Sequence, residues 1–301
     1  MNVLSLFDGI SCGMVALERA NISVDKYVAY EIEPDAIKVS LDNYPEIQQK
    51  GDVFKAEYTE GEFGLLIGGS PCTHWSISRQ GGWDRETTAS GIGWELFMQY
   101  VRAYREAKPG YFLYENNFSM SDDIKEEITR QLGVQPLMID SADFSAQMRK
   151  RYYWTNIPVK LDYTPSKLVI EDIMIEGDFP TRDFSKYAHT VKWNKDHTVC
   201  SFDTSGKGYY SQANRCRMPC VKSCTLPASG NDKNDIWVSK YKSRHMQPIE
   251  AERLQTLPDN YTSCLSSAVR RSEVSGNGWT VDVIAYILSF LPEEYKKGGK
   301  R

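Results

Sequence analysis

The chain has 301 residues, 41% of them hydrophobic and 25% charged, with a net charge of −4 at pH 7. This is the balance of a soluble globular protein with a real core, arranged as one large domain or up to two smaller ones. No stretch approaches the roughly 18 apolar residues of a membrane span, the opening NVLSLFDG lacks the basic and apolar regions of a secretion signal, and seven scattered cysteines point to a reducing cytoplasm rather than a disulfide framework.

The predicted elements alternate. Residues 2–7 (NVLSLF) read as a short buried strand, followed by DGISCG and a helix whose Met14, Leu17 and Ala20 share a face. KYVAYEIE is a second strand, and DAIKVSLDNY is a helix entered through Pro34. GDVF reads as the end of a third strand and FGLLIGGS as a fourth; WELFMQYVRAYREAK is an amphipathic helix and GYFLYENN a further strand. SDDIKEEITRQL opens on Ser121 and acidic residues, a helix N-terminus signature. PLMIDSADF and RYYWTNI add strands. Strand and helix alternating on this scale predict an α/β fold, with a Rossmann-like, mostly parallel sheet covered on both faces.

The pattern changes near residue 160. Residues 160–245 are rich in Gly, Ser, Thr, Asn and Lys, with short β-like pieces and no long helix. Within 181–245, 12 Lys and Arg stand against 5 Asp and Glu, which leaves the rest of the chain at −11. An acidic body carrying a basic, β-rich lobe suits a protein that meets an anionic polymer. Regularity returns at PIEAERLQTL and in the apolar helix GWTVDVIAYILSFL. The predicted divisions are 1–165, an irregular insert at 166–247, and a return to the body at 248–301.

Chemistry concentrates at strand ends. The Gly-rich stretch LFDGISCG after the first strand offers backbone N–H groups to an anionic part of a nucleotide-like ligand. Glu31 ends the second strand and Asp52 the third, in order along one rim. LLIGGSPC breaks a buried strand on two glycines and presents Cys72 on a Pro bend, where a thiol near free amides or positive charge is partly ionised. Glu115 and Asn116 end a further strand, and Gln147, Arg149 and Arg151 alternate so that one strand would point them to one face. Thiol, carboxyl and guanidinium beside a nucleotide-like site define a narrow reaction class. A thiolate adding to C6 of cytosine makes C5 nucleophilic, provided charge at N3 and O2 is stabilised.

These blocks resemble, in order over nearly the whole chain, the C5-cytosine DNA methyltransferases, an S-adenosylmethionine-dependent family: LFDGISCG, YEIEPDA, GDVF, GGSPC, GWELF, YENN, QMRKR, RLQTLPDNY and GNGWTVDV. The wording is closest to phage and bacterial enzymes and to animal de novo catalytic domains. The resemblance implies the S-adenosylmethionine-dependent methyltransferase fold, with the insert as target recognition domain and the last helix returned to the large domain. It makes Cys72 the nucleophile, Glu115 the N3 partner, and Arg149 and Arg151 contacts to the flipped nucleotide. Phe7 would stack on the cofactor's adenine, while Asp8, Gly9, Ile10 and Gly13 approach its methionine moiety. Glu31 would meet the ribose, Asp52 the adenine amine and Leu96 the cofactor's apolar side, with Asn277 and Trp279 completing the pocket. Gln147, Lys207, Arg215, Arg217 and Lys222 are candidate contacts to double-stranded DNA.

Two departures touch the site: Thr73-His74 stand where many members have Gln, and Asn117 where Val is usual. In the insert, Cys200, Cys216, Cys220 and Cys224, with His197 nearby, do not make paired C-x-x-C knuckles, so buried thiols are expected rather than a metal. Tyr209 and Tyr210 are expected to pack in that lobe's core. The resemblance implies a compact, cytoplasmic enzyme of bacterial or phage type and leaves open a companion restriction enzyme, the DNA word and the oligomeric state. Alternatives are a tRNA cytosine methyltransferase, transfer of a group other than methyl, and a catalytically silent DNA-binding homologue; the joint presence of Cys72, Glu115 and Arg151 weighs against the last.

Overall fold

The computed structural model describes residues 1–76, 85–210, 214–227 and 235–298. It divides into two compact units: Met1–Asp140 with Lys150–Asp162 and Val281–Arg301, and Ser141–Arg149 with Tyr163–Thr280.

The first unit holds β1 (Asn2–Leu6), α1 (Cys12–Arg19), β2 (Lys26–Tyr30), α2 (Pro34–Asn43), β3 (Gln48–Gln49), β4 (Leu65–Gly68), α3 (Gly91–Ala107), β5 (Tyr111–Asn117), α4 (Asp122–Leu132), β6 (Leu137–Asp140) and β7 (Lys150–Thr155). They form a seven-stranded sheet in the order β3-β2-β1-β4-β5-β7-β6. β1 to β5 run parallel and β7 antiparallel to both neighbours. Parallel strands covered on two faces need apolar residues at consecutive positions rather than alternating ones. Val3, Leu4, Leu6, Leu65, Leu66 and Ile67 accordingly are all buried. Gly68 ends β4 where no side chain fits, since a Cβ there would lie 2.7 Å from the Leu6 carbonyl oxygen. The strand order reverses between β1 and β4, so the crevice outside their carboxyl ends is a natural ligand position.

α4 has the ends its sequence announces. Ser121 Oγ accepts from the Ile124 N–H, and Gly133 terminates the helix at φ 71°. Under α3 and α4 lies a core containing Trp75, Phe97, Tyr100, Phe112, Tyr114 and Trp154. The third strand differs from expectation. Gly51, at φ 79°, turns the chain after β3, and Asp52 follows as the cap of a short 3-10 turn, Val53–Lys55, its Oδ1 accepting from the Phe54 N–H at 2.9 Å.

The second unit contains α5 (Ile170–Ile173), β8 (Thr181–Asp183), β9 (Lys192–Trp193), β10 (Val199–Ser201), β11 (Arg215–Arg217), β12 (Asp235–Ser239), β13 (Lys242–His245), α6 (Pro248–Leu254) and α7 (Ala268–Asn277). Its six strands order as β8-β13-β12-β11-β10-β9. Phe184, Cys200, Phe202 and Cys216 pack as its apolar centre, with the Phe184 and Phe202 rings stacked at 4.5 Å. The compact units depart from the sequence divisions at 141–149, 163–165 and 248–280, which group with the basic lobe. The reason is packing: Ala146, Ile173, Leu226, Ala251 and Leu254 share one buried cluster. The chain then re-enters the first unit as α8 (Val281–Leu288), which packs against α1. Among the described residues, no helix is long and apolar enough to cross a membrane.

Candidate active site

The loop leaving β1 is built from backbone that few residues tolerate. Phe7, Gly9 and Ser11 all lie near φ 60°, a left-handed conformation that costs an L-residue with a side chain. The Asp8 carboxylate repays this by tying the loop together. It accepts from Ser5 Oγ at 2.6 Å, from the Tyr27 hydroxyl at 2.7 Å, and from Ser11 Oγ. Glu31, leaving β2, accepts from the Gly9 N–H at 2.8 Å and from the N–H groups of Ile32 and Glu33 at 2.8 and 2.9 Å. Gly9 has open space where a Cβ would stand, so a ligand can approach its backbone closely. Ile10 and Gly13 are buried, and Leu96 on α3 is half-buried. Two apolar side chains not singled out in the sequence stand in this rim's loops, Ile32 at 72% exposure and Phe54 at 51%. Their signal was an apolar residue close after a rim carboxylate, Ile32 next to Glu31 and Phe54 two residues past Asp52.

Burial pushes the Asp8 carboxyl above its ordinary range, outweighing the hydroxyls of Ser11, Ser5 and Tyr27 that donate to it. The native state therefore holds this proton more tightly than the unfolded chain does. The resulting stabilisation is full below the unfolded value of 3.8 and is lost as pH rises through the raised native pKa. Asp8→Asn removes that titration. The melting temperature of the variant minus that of wild type is expected to climb as pH rises above the unfolded value of 3.8; a flat difference would overturn the assignment.

Cys72 opens a 3-10 turn, Cys72–His74; its side chain and residues 77–84 lie outside the described parts. The bend before it is held from below. Asn116 Nδ2 donates to the Ser70 carbonyl at 3.1 Å and to the Tyr114 hydroxyl at 3.0 Å, and Ser70 Oγ and Tyr114 OH share a hydrogen bond of 2.6 Å. All three residues are buried, so the bend is anchored to the end of β5. Asn117 joins this group through Asn116, its Nδ2 donating to Asn116 Oδ1 at 3.2 Å. His74 and Trp75 are clasped by Glu86. Its Oε1 lies 3.4 Å from His74 Nδ1, and its Oε2 accepts from the Trp75 indole and the Gly93 N–H, both at 3.1 Å. A carboxylate at the N-terminus of α3 is favourably placed against the helix dipole.

On the neighbouring strands Arg151 Nε meets Glu115 Oε1 at 2.9 Å, with 13% and 11% of the two side chains exposed. The register explains the pair. Arg151 lies opposite Asn117 and Tyr153 opposite Glu115, so Arg151 reaches diagonally along one face to the carboxylate. Gln147 and Arg149 do not share that strand, because β7 begins at Lys150. They belong to the second unit. There Gln147 is fully buried, its Nε2 donating to the Leu254 carbonyl and to Gln255 Oε1, both at 2.8 Å, while its Oε1 accepts from Leu226 N–H at 3.1 Å. Arg149 donates to the Gly278 carbonyl at 3.0 Å. Asn277, exposed, closes α7 of the same unit and Trp279, half-buried, follows it.

Among the expected nucleic-acid contacts, Lys207 and Arg215 are exposed and Arg217 half-buried. Lys222 is turned inward, its Nζ donating to the carbonyls of Ser145, Ser166 and Leu168 at 2.9, 3.2 and 2.7 Å. For Gln147 and Lys222 alike, touching a nucleic acid would mean leaving these partners. Tyr209 corrects expectation in the other direction: it is 61% exposed, because the Asp203 carboxylate gathers the N–H groups of Ser205 and Gly208 and turns the loop outward. Cys200 and Cys216 face each other across β10 and β11 and are buried.

The sequence matches the family described as C-5 cytosine-specific DNA methylase over residues 1–192 and 160–292. The orphan methyltransferase M.Rho11sI of Bacillus phage rho11s is 36% identical over 121 residues, which is 38% of this chain and 23% of that protein. The DNA (cytosine-5)-methyltransferase DRM2 of Oryza sativa subsp. japonica is 28% identical over 204 residues, 63% of this chain and 32% of that protein. This chain thus spans well under half the length of the curated relatives it matches. The crystal structure of S. pombe Dnmt2 methyltransferase superposes with a TM-score of 0.65 at 16% identity, covering 96% of this chain and 97% of that one. At that identity the likeness speaks for the fold, a mostly parallel methyltransferase sheet accompanied by a second sheet.

Proposed function

Because the chain belongs to the C-5 cytosine-specific DNA methylase family, we propose that it methylates C5 of a cytosine turned out of duplex DNA, through a transient bond between Cys72 and C6. Family and fold imply a methyl donor of the S-adenosylmethionine type, and the rim loop fits one. Gly9 leaves its backbone open to close approach, Glu31, which accepts from the Gly9 N–H, is the kind of strand-end carboxylate that would meet a ribose in Rossmann-like sheets, and Ile32 and Phe54 would offer apolar cover to a base. When bound, that cofactor supplies an electrophilic methyl group.

The chain's own residues do the rest. Cys72, as thiolate, adds to C6 and pushes electron density to C5. Glu115 hydrogen-bonds or protonates N3, which relieves the charge that would otherwise build on the ring. Arg151 holds the Glu115 carboxylate in place and offers its remaining N–H groups toward O2. After C5 has been substituted, loss of its proton and departure of the Cys72 sulfur restore aromaticity. Asn116, Ser70 and Tyr114 keep the thiol-bearing bend from drifting. Lys207, Tyr209, Arg215 and Arg217 on the second unit are the side chains we assign to reading the duplex, with the cytoplasm as the working compartment.

What carries this reading is the Glu115–Arg151 pair, set on the strand whose Asn116 anchors the Cys72 bend. Expression in a host without cytosine-5 methylation, followed by mapping of 5-methylcytosine, is the test. One short word shared by all modified sites is the expected result. Unmodified DNA together with methylated tRNA would move the activity to RNA, and neither product would end the proposal.

A further inference from the structure

Just past Glu115, at the carboxyl end of β5, the chain leaves an aromatic side chain in water. Phe118 is 41% exposed, and its ring packs on Tyr152 of β7 at 5.0 Å between centroids. The Lys150 ammonium stands 5.7 Å from the Phe118 ring centre, and the Lys125 ammonium 5.8 Å from that of Tyr152. These contacts follow from register. Arg151 pairs with Asn117 and Tyr152 with Asn116, so Lys150 falls opposite the next position, 118. Lys125 already has a carboxylate, Asp122, at 2.7 Å. Lys150 is exposed, with Asp140 opposite it across β6 and β7 and the Phe118 ring beneath its ammonium. Burying the rest of an aromatic face of this size would be favourable, yet among the described residues it stays 41% exposed. What remains is a partly exposed ring and an exposed cation side by side, with the ring three residues beyond Glu115.

We propose that Phe118 and Lys150 form a contact site for the DNA strand flanking the extruded cytosine. Phe118 packs against the deoxyribose or base left unstacked beside the vacancy, and Lys150 pairs with the adjoining phosphate. The chemistry fits one partner class. Aromatic faces accept an unstacked base of any sequence, and a cation over the same surface meets the backbone that every base carries. Tyr152 backs the Phe118 ring, and Lys125 adds a second, partly neutralised charge. The site rests on the methyltransferase reading above, since it is the extrusion of a base that leaves its neighbour unstacked.

The test uses the full chain and a duplex carrying one mapped target cytosine, with binding followed by fluorescence anisotropy over a series of salt concentrations. Phe118→Ala is expected to weaken binding about tenfold while Phe118→Trp restores it. The Ala variant leaves the salt dependence as in wild type. Lys150→Gln is expected to lower the slope of log affinity against log salt by about 0.9, the share of one phosphate contact. Melting curves establish that each variant is folded. If wild type methylates the duplex and both variants bind it with wild-type affinity and slope, this site is overturned and the reaction assignment stands. If wild type neither binds nor methylates it, both fall together.

Discussion

Cys72→Ser is expected to reduce the single-turnover rate of methyl transfer by about 10³-fold or more, with the Michaelis constant for DNA little changed. The two side chains are nearly the same size, so the bend that carries them is undisturbed. What changes is the population and strength of the anion. A thiol supplies thiolate at neutral pH far more readily than a hydroxyl does and is intrinsically the stronger nucleophile, whereas a hydroxyl needs a dedicated base. A loss confined to kcat separates an interaction made only in the transition state from one that merely holds substrate. A duplex containing 5-fluorocytosine sharpens the test, because fluorine cannot leave C5 as a proton does and the sulfur–C6 bond then persists. Wild type should form a denaturant-resistant adduct and the Ser variant none. Unchanged turnover in Cys72→Ser would remove the nucleophile and with it the mechanism.

Glu115→Gln should cost about 10²–10⁴-fold in kcat, the range for a positioned acid or base. The amide keeps the shape and one acceptor but cannot deliver a proton to N3. Arg151→Ala should lower kcat as well and, unlike Glu115→Gln, should lower stability. It takes the guanidinium from the Glu115 carboxylate, which is only 11% exposed, and breaking a buried ion pair by removing one partner costs up to about 3–5 kcal/mol. Residual exposure places this case at the lower end. Because the two side chains touch, the double variant Glu115→Gln/Arg151→Ala should be less damaged than the sum of the single losses. Strict additivity in kcat and in melting temperature would mean that the pair does not act as a unit.

Much of the first unit could be read without coordinates. Buried parallel strands are continuous apolar runs, and Val3–Leu6 and Leu65–Ile67 announce themselves for that reason. Ser121 and the acidic residues after it mark the start of α4. Less legible was the third strand, which is only Gln48–Gln49. Two residues carry no periodicity, and the GDVF that followed looked more strand-like than the strand itself. The alternation of Gln147, Arg149 and Arg151 was misleading for a related reason. Local spacing indicates a common face only if the backbone is extended throughout, and β7 starts at Lys150. Gln147 instead became an internal strut whose partners, Leu254 and Gln255, lie more than a hundred residues onward.

By itself the sequence pointed to the family and to the candidate residues for its chemistry. Thiol, carboxyl and guanidinium are properties of side chains, and their places at strand ends follow from local patterns of apolar residues and glycine. Tertiary structure alone decided which of these groups meet. It joined Arg151 to Glu115 through strand register, anchored the Cys72 bend to Asn116, turned Lys222 inward and Tyr209 outward, and left Phe118 partly exposed beside Lys150. Each of these depends on pairing between distant segments, where a shift of one residue sends a side chain to the opposite face, and no short window of sequence records that choice.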